Sequence, residues 1–178
     1  MDDRSSNGKW APGKTAWEIE QERHQDPEWL AMRAEQEQRR QELETASRAQ
    51  QELLVADIRR AGYPVEYSVY ELVHTADSYP DVIPVLVKHL SLPYSDRIKE
   101  GIARALTVVE ARGVAGPAII EALRMAEGDR FYRWALANAL TKVATRNEKN
   151  AIEELFEIEA DDDVRERLKR ALKTAAKA

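Results

Sequence analysis

Three stretches decide the fold: DRIKEGIARAL (96–106), DRFYRWALANAL (129–140) and DDVRERLKRAL (162–172). In each, apolar residues recur at i, i+4 and i+8, as Ile98-Ile102-Leu106, Tyr132-Leu136-Leu140 and Val164-Leu168-Leu172. That spacing puts each trio on one face of a helix. All three trios end in an Ala-Leu pair, and a base follows each first member: Lys99, Arg133 and Arg165. The closing leucines stand 34 and 32 residues apart. A second set runs in phase with the first, because Leu86, Ile119 and Ile152 are 33 apart, as are Leu90, Leu123 and Phe156. The unit is therefore a pair of helices. A fourth copy of the second helix is expected over Val65-Val69-Val73, with Glu66 in place of the base.

Punctuation agrees with this phase. Pro84 and Pro117 stand where the first helix of a pair begins, the position at which a missing N–H costs nothing. Ser95-Asp96, Gly128-Asp129 and Asp161-Asp162 precede the second helices and carry N-cap chemistry, with Asp162 the expected cap of the last. A 33-residue period of this kind marks repeats that bury their faces only against neighbours. The three quoted stretches, with IPVLVKHL (83–90) and GPAIIEAL (116–123) as first helices, resemble HEAT repeats of the short phycobilisome-lyase type. That resemblance implies an all-α, right-handed solenoid of three to four helix pairs over residues 50–178, its second helices lining a concave face.

The N-terminal third differs. Asp26-Pro27-Glu28 has the form of an N-cap, a proline at the first helical position and an acid in the first turn. No glycine or proline follows until Gly62, so one long helix or two nearly continuous ones are expected. Residues 26–49 are polar, and the heptad seam from Trp29 includes Gln36, Arg39 and Gln50, which argues against an autonomous coiled coil. A homodimer through this helix is one arrangement the sequence allows. Residues 1–25 are expected to form a mobile tail, in which Trp10 and Trp17 are candidates to dock on the repeat domain or a partner.

Catalytic chemistry finds little support. GKWAPGKT (8–15) fits the phosphate-loop pattern, but that loop needs a strand before its glycine, and only seven residues, all but Met1 polar, precede Gly8. There is no cysteine, which removes disulfides and thiolate sites. Asp161-Asp162-Asp163 lacks the alternation and glycine of a calcium loop, and His24, His74 and His89 are not spaced as paired ligands; a surface or tail position is expected for each. No metal, cofactor or catalytic residue is therefore expected, although Glu100 or Asp129 could act as an acid or base if desolvated in a cleft. The formal net charge of -5 gives no global field toward nucleic acid or an anionic membrane. No apolar run approaches the length of a span, and MDDRSSNGKW is too acidic for a signal peptide, so a cytoplasmic protein is expected.

What remains is a surface. By phase, the second helices present one rung of Tyr67, Glu100, Trp134 and Glu166, a next rung of Glu71, Arg104, Asn138 and Arg170, and a flanking rung of Ser68, Gly101, Ala135 and Arg167. Aromatic and charged residues interleaved in this way suit a protein partner. The expected function is a non-enzymatic protein-binding module of adaptor, regulator or toxin-neutralising type. The alternative is nucleic-acid binding or base-lesion repair along the same face and the basic last helix, which carries Arg165, Arg167, Lys169, Arg170, Lys173 and Lys177. HEAT-like DNA glycosylases use such a surface, but this chain departs from them in charge and length.

Overall fold

The computed structural model describes Trp17, residues 26–127 and residues 129–177. The expectations for Trp10, GKWAPGKT and Gly128 lie outside the described residues. The described residues are all-helical: eight α-helices joined by loops and three short 3-10 turns, with no strand among them. The chain divides into two compact units, Met1–Thr45 and Ala46–Ala178.

Helix α1 spans Pro27–Arg60. It starts where the Asp-Pro-Glu signal places it: Asp26 Oδ1 accepts from the backbone N–H of Glu28 at 2.9 Å and of Trp29 at 3.4 Å. In the first unit this helix shows no buried face, and Leu30, Met32 and Leu43 are exposed. Its local support comes from neighbours on the helix surface, such as Arg40 with Glu37 at 2.6 Å. Exposed pairs of this kind contribute little, because water and salt screen them. Trp17 is exposed as well.

In the second unit the same helix turns apolar, and Leu54, Val55 and Ile58 are buried. It stops at Gly62, whose φ of 92° suits a residue without Cβ. Tyr63 N–H reaches Ile58 O at 3.3 Å and Gly62 N–H reaches Arg59 O at 2.9 Å, the paired bonds of a Schellman ending. The remaining helices are α2 (Tyr70–Val73), α3 (Ile83–Leu90), α4 (Asp96–Ala105), α5 (Gly116–Met125), α6 (Arg130–Val143), α7 (Lys149–Ile158) and α8 (Asp162–Ala175). Helices α3 and α4, α5 and α6, and α7 and α8 pack as sequential pairs. Across the pairs, α6 packs on both α4 and α8, while α5 packs on α3 and α7.

The core is the set of residues the period selects. Ile98, Ile102, Leu106, Leu136, Leu140, Val164 and Leu168 are fully covered, as are Leu86, Ile119, Leu123 and Ile152 from the first helices. Each such side chain contributes about 1.5–3 kcal/mol by leaving water, several times an exposed ion pair. Cap register is resolved at the same time. Asp129 accepts from Tyr132 N–H at 2.9 Å, and Asp161, not Asp162, caps α8 by accepting from Asp163 N–H and Val164 N–H at 2.9 and 3.2 Å. Asp162 is the first helical residue instead. Ser95 occupies the cap position of α4 but makes no capping bond through its side chain.

The expected helix over 65–73 shrinks to the four residues of α2. The cause is Glu71, whose carboxylate accepts from the backbone N–H of Glu66, Tyr67 and Ser68 at 2.7–2.9 Å and holds that segment as a loop. Val65 and Val69 are still buried. The middle of the flanking rung lies beneath the surface, because Gly101 and Ala135 are buried, whereas Ser68 and Arg167 are half-buried. A Cβ on Gly101 would stand 2.7 Å from Val69 Cγ1 and 2.9 Å from Tyr70 Cε2. Alanine normally gains about 1 kcal/mol over glycine inside a helix. Here the clash with a fully covered valine wins, and Gly101→Ala is expected to lower stability by about 1 kcal/mol in urea melts. An unchanged midpoint would show that α2 yields freely.

Candidate functional site

Helices α4, α6 and α8 lie side by side and bring Arg104, Trp134 and Arg167 together. Each arginine comes from a different neighbour of the central helix. The Arg104 guanidinium carbon is 5.5 Å from the Trp134 ring centroid and that of Arg167 is 4.7 Å away. A cation over indole is worth about 0.5–1 kcal/mol when exposed and about 2 when desolvated. All three side chains are half-buried, so the contacts fall between those limits. Glu100 holds Arg104, with Oε1 at 2.7 Å from Nη2. Arg167 has no carboxylate within ion-pair distance among the described residues, so one positive charge on this indole is uncompensated.

The other expected positions are divided. Arg170 lies one turn further along α8, paired with Glu166 at 3.1 Å. That pairing, with Lys169 and Lys173 nearby, holds the Glu166 carboxyl below its ordinary range. Asn138 is half-buried on α6. Tyr67 is exposed on the loop before α2, where the Arg48 guanidinium carbon is 4.8 Å from its ring centroid. Glu71 is not available as a contact residue, since its carboxylate is spent on three backbone donors. Burial pushes its carboxyl up, but those donors outweigh it and leave it below the usual value. Asp129 is occupied as the α6 cap, and Glu100 by its arginine.

Tyr70 belongs to the site although the repeat phase did not single it out. Its hydroxyl donates to Arg97 O at 3.1 Å, and burial followed by the nearby Glu100 charge raises its pKa. The signal was present as an aromatic in YSVYEL, but it sits one position off the phase of the rungs.

A second polar cluster is deeper. His89 is fully buried on α3, not at the surface as expected. Nε2 is 2.9 Å from Asp57 Oδ2 on α1, and Nδ1 is 2.8 Å from the Tyr94 hydroxyl. An ionised carboxylate only accepts, so Nε2–H donates to Asp57 and Tyr94 O–H donates to Nδ1. Burial and the Asp57 charge push the Tyr94 phenol up, which keeps that proton in place. Both ring nitrogens are satisfied, and the cluster ties three segments together.

Among the described residues no group of three or more His, Cys, Asp or Glu is placed to hold a metal ion, and no helix is long and apolar enough to cross a membrane. Comparison with protein-family models, with curated proteins and with solved structures finds no match.

Proposed function

We propose that residues 50–178 form a short right-handed HEAT-like solenoid that acts without catalysis as a protein-binding module, with α4, α6 and α8 as its contact face. Bonds between residues one period apart support the repeat assignment. Thr174 Oγ1 donates to Thr141 O at 3.0 Å, and Arg130 pairs with Asp163. The observation that carries the functional proposal is Trp134 between two arginines of flanking helices. Trp and Arg supply much of the binding energy at protein interfaces, and the uncompensated Arg167 suits an acidic residue on the partner. Nucleic acid fits less well, because Arg165 lies over Phe156, Arg167 over Trp134, and Arg170 is paired with Glu166.

Capture from the native host tests this face. The double variant Trp134→Ala, Arg104→Glu is expected to lose a specific partner that the wild type retains, with an unchanged circular dichroism spectrum. Retention of every specific partner by the folded double variant would exclude the face. Duplex DNA binding that falls steeply with added salt would replace the protein with nucleic acid.

A further inference from the structure

The junctions between successive helix pairs are not equivalent, and the difference lies in residues one period apart. Between the last two pairs, Arg133 on α6 reaches Glu159 at 2.5 Å and also donates to Leu123 O at 3.2 Å and to Ala126 O. That ion pair closes the junction. One period earlier the same positions are Lys99 and Glu127. Neither side chain makes an ion pair or hydrogen bond among the described residues, and both line a cavity of about 390 Å³. This volume falls within the roughly 300–1,000 Å³ of small-molecule sites.

The cavity is built for an amphipathic guest. Its walls include Leu90, Ala118, Ala122 and Met125. Its polar groups include Lys99, Glu127, Asp96 at the first position of α4, and Tyr132 on α6; Ser91 and Glu121 also line it, but Ser91 Oγ donates to Lys88 O and Glu121 pairs with Arg124. Tyr132 replaces the aliphatic residues at the equivalent positions, Ile98 and Val164. The residue is 3% exposed, yet its hydroxyl has no hydrogen-bond partner among the described residues. Burial, and then the Asp96 charge, push this phenol up to about 12, so it remains a donor. The hydroxyl opens on the cavity, where a ligand acceptor would take the place of water as its partner.

Two donors, Lys99 and Tyr132, and two acceptors, Asp96 and Glu127, thus stand without side-chain partners on the wall of one largely apolar space. We propose that this cavity binds a small zwitterion with an apolar body, of the class of a free aliphatic α-amino acid. The ligand carboxylate lies on the Lys99 ammonium and Tyr132 hydroxyl, its ammonium on Glu127 and Asp96, and its side chain on Leu90 and Met125. A ligand with a single charge leaves either the donors or the acceptors unmatched. This site is independent of the Trp134 face, and neither assignment depends on the other.

Calorimetric titration of the full chain with L-leucine, isoamylamine and isocaproate tests the assignment. Leucine is expected to bind saturably at one site and at least about tenfold more tightly than either truncated analogue, a difference of about 1.4 kcal/mol. Lys99→Met should weaken leucine about tenfold and leave isoamylamine unchanged, whereas Glu127→Gln should weaken leucine and leave isocaproate unchanged. Tyr132→Phe keeps the ring packed and should weaken leucine severalfold. Thermal melts confirm that each variant is folded. Absence of saturable leucine binding to the wild type, or equal binding of the singly charged analogues, would overturn the proposal.

Discussion

Arg133→Ala is expected to lower the unfolding free energy by about 3 kcal/mol, more than any exposed charge substitution in the chain. The Glu159 side chain is 5% exposed and would keep its charge with only the Asp161 N–H, 3.0 Å away, as a remaining partner. The Leu123 and Ala126 carbonyls at the end of α5 would lose a donor as well. Arg133 itself is 23% exposed, so water recovers part of the loss and the lower end of the range for a broken buried pair applies. Arg130, three residues earlier, is the control. It pairs with Asp161 at 3.0 Å but is 61% exposed, and Arg130→Ala should cost less than about 1 kcal/mol. Urea denaturation of both variants checks the contrast. Equal midpoints would mean that the buried pair adds nothing beyond a surface pair.

Asp57→Ala follows, with an expected loss of about 2 kcal/mol, because it leaves the Nε2–H of a wholly buried imidazole without an acceptor. Removing Lys88 should do far less, since its Nζ is 3.5 Å from Oδ2 and its side chain is 67% exposed. The same group sets a pH dependence. The His89 hydrogen bond holds the Asp57 carboxyl below its ordinary range against the opposing effect of burial, and Arg60 and Lys88 add to the lowering. Its folded pKa therefore lies below an unfolded value of about 3.9. The stabilisation is complete above that value and is lost as pH falls through the folded pKa. Asp57→Asn should thus show a shallower loss of stability below about pH 4 than the wild type. Parallel acid slopes would show that Asp57 keeps an ordinary pKa in the folded chain.

The helices were legible wherever apolar period and cap chemistry coincided. Asp26-Pro27 opened α1, Asp129 opened α6, and of the leucines spaced by 34 and 32 residues Leu106 and Leu140 became core while Leu172 packs half-buried against it. Legibility failed where one side chain had two physically acceptable uses. Glu71 reads as an exposed rung by phase, yet a carboxylate three to five residues after free N–H groups binds them and makes the helix start late. Asp161 and Asp162 are chemically identical as caps, and only the backbone path selects the first. His89 gave no warning, because its partners lie 32 residues before it and 5 after, on separate elements.

By itself the sequence determined that this chain is helical and which faces are buried, since helix period and apolar burial act over distances of a few residues. It also placed Arg104, Trp134 and Arg167 on neighbouring helices. Tertiary structure alone decided which charges are compensated. Packing pairs Arg133 with Glu159, leaves Lys99 and Glu127 apart around a cavity, and aims two guanidiniums at one indole. Those outcomes depend on ångström distances between side chains about thirty residues apart, which periodicity orders but does not measure.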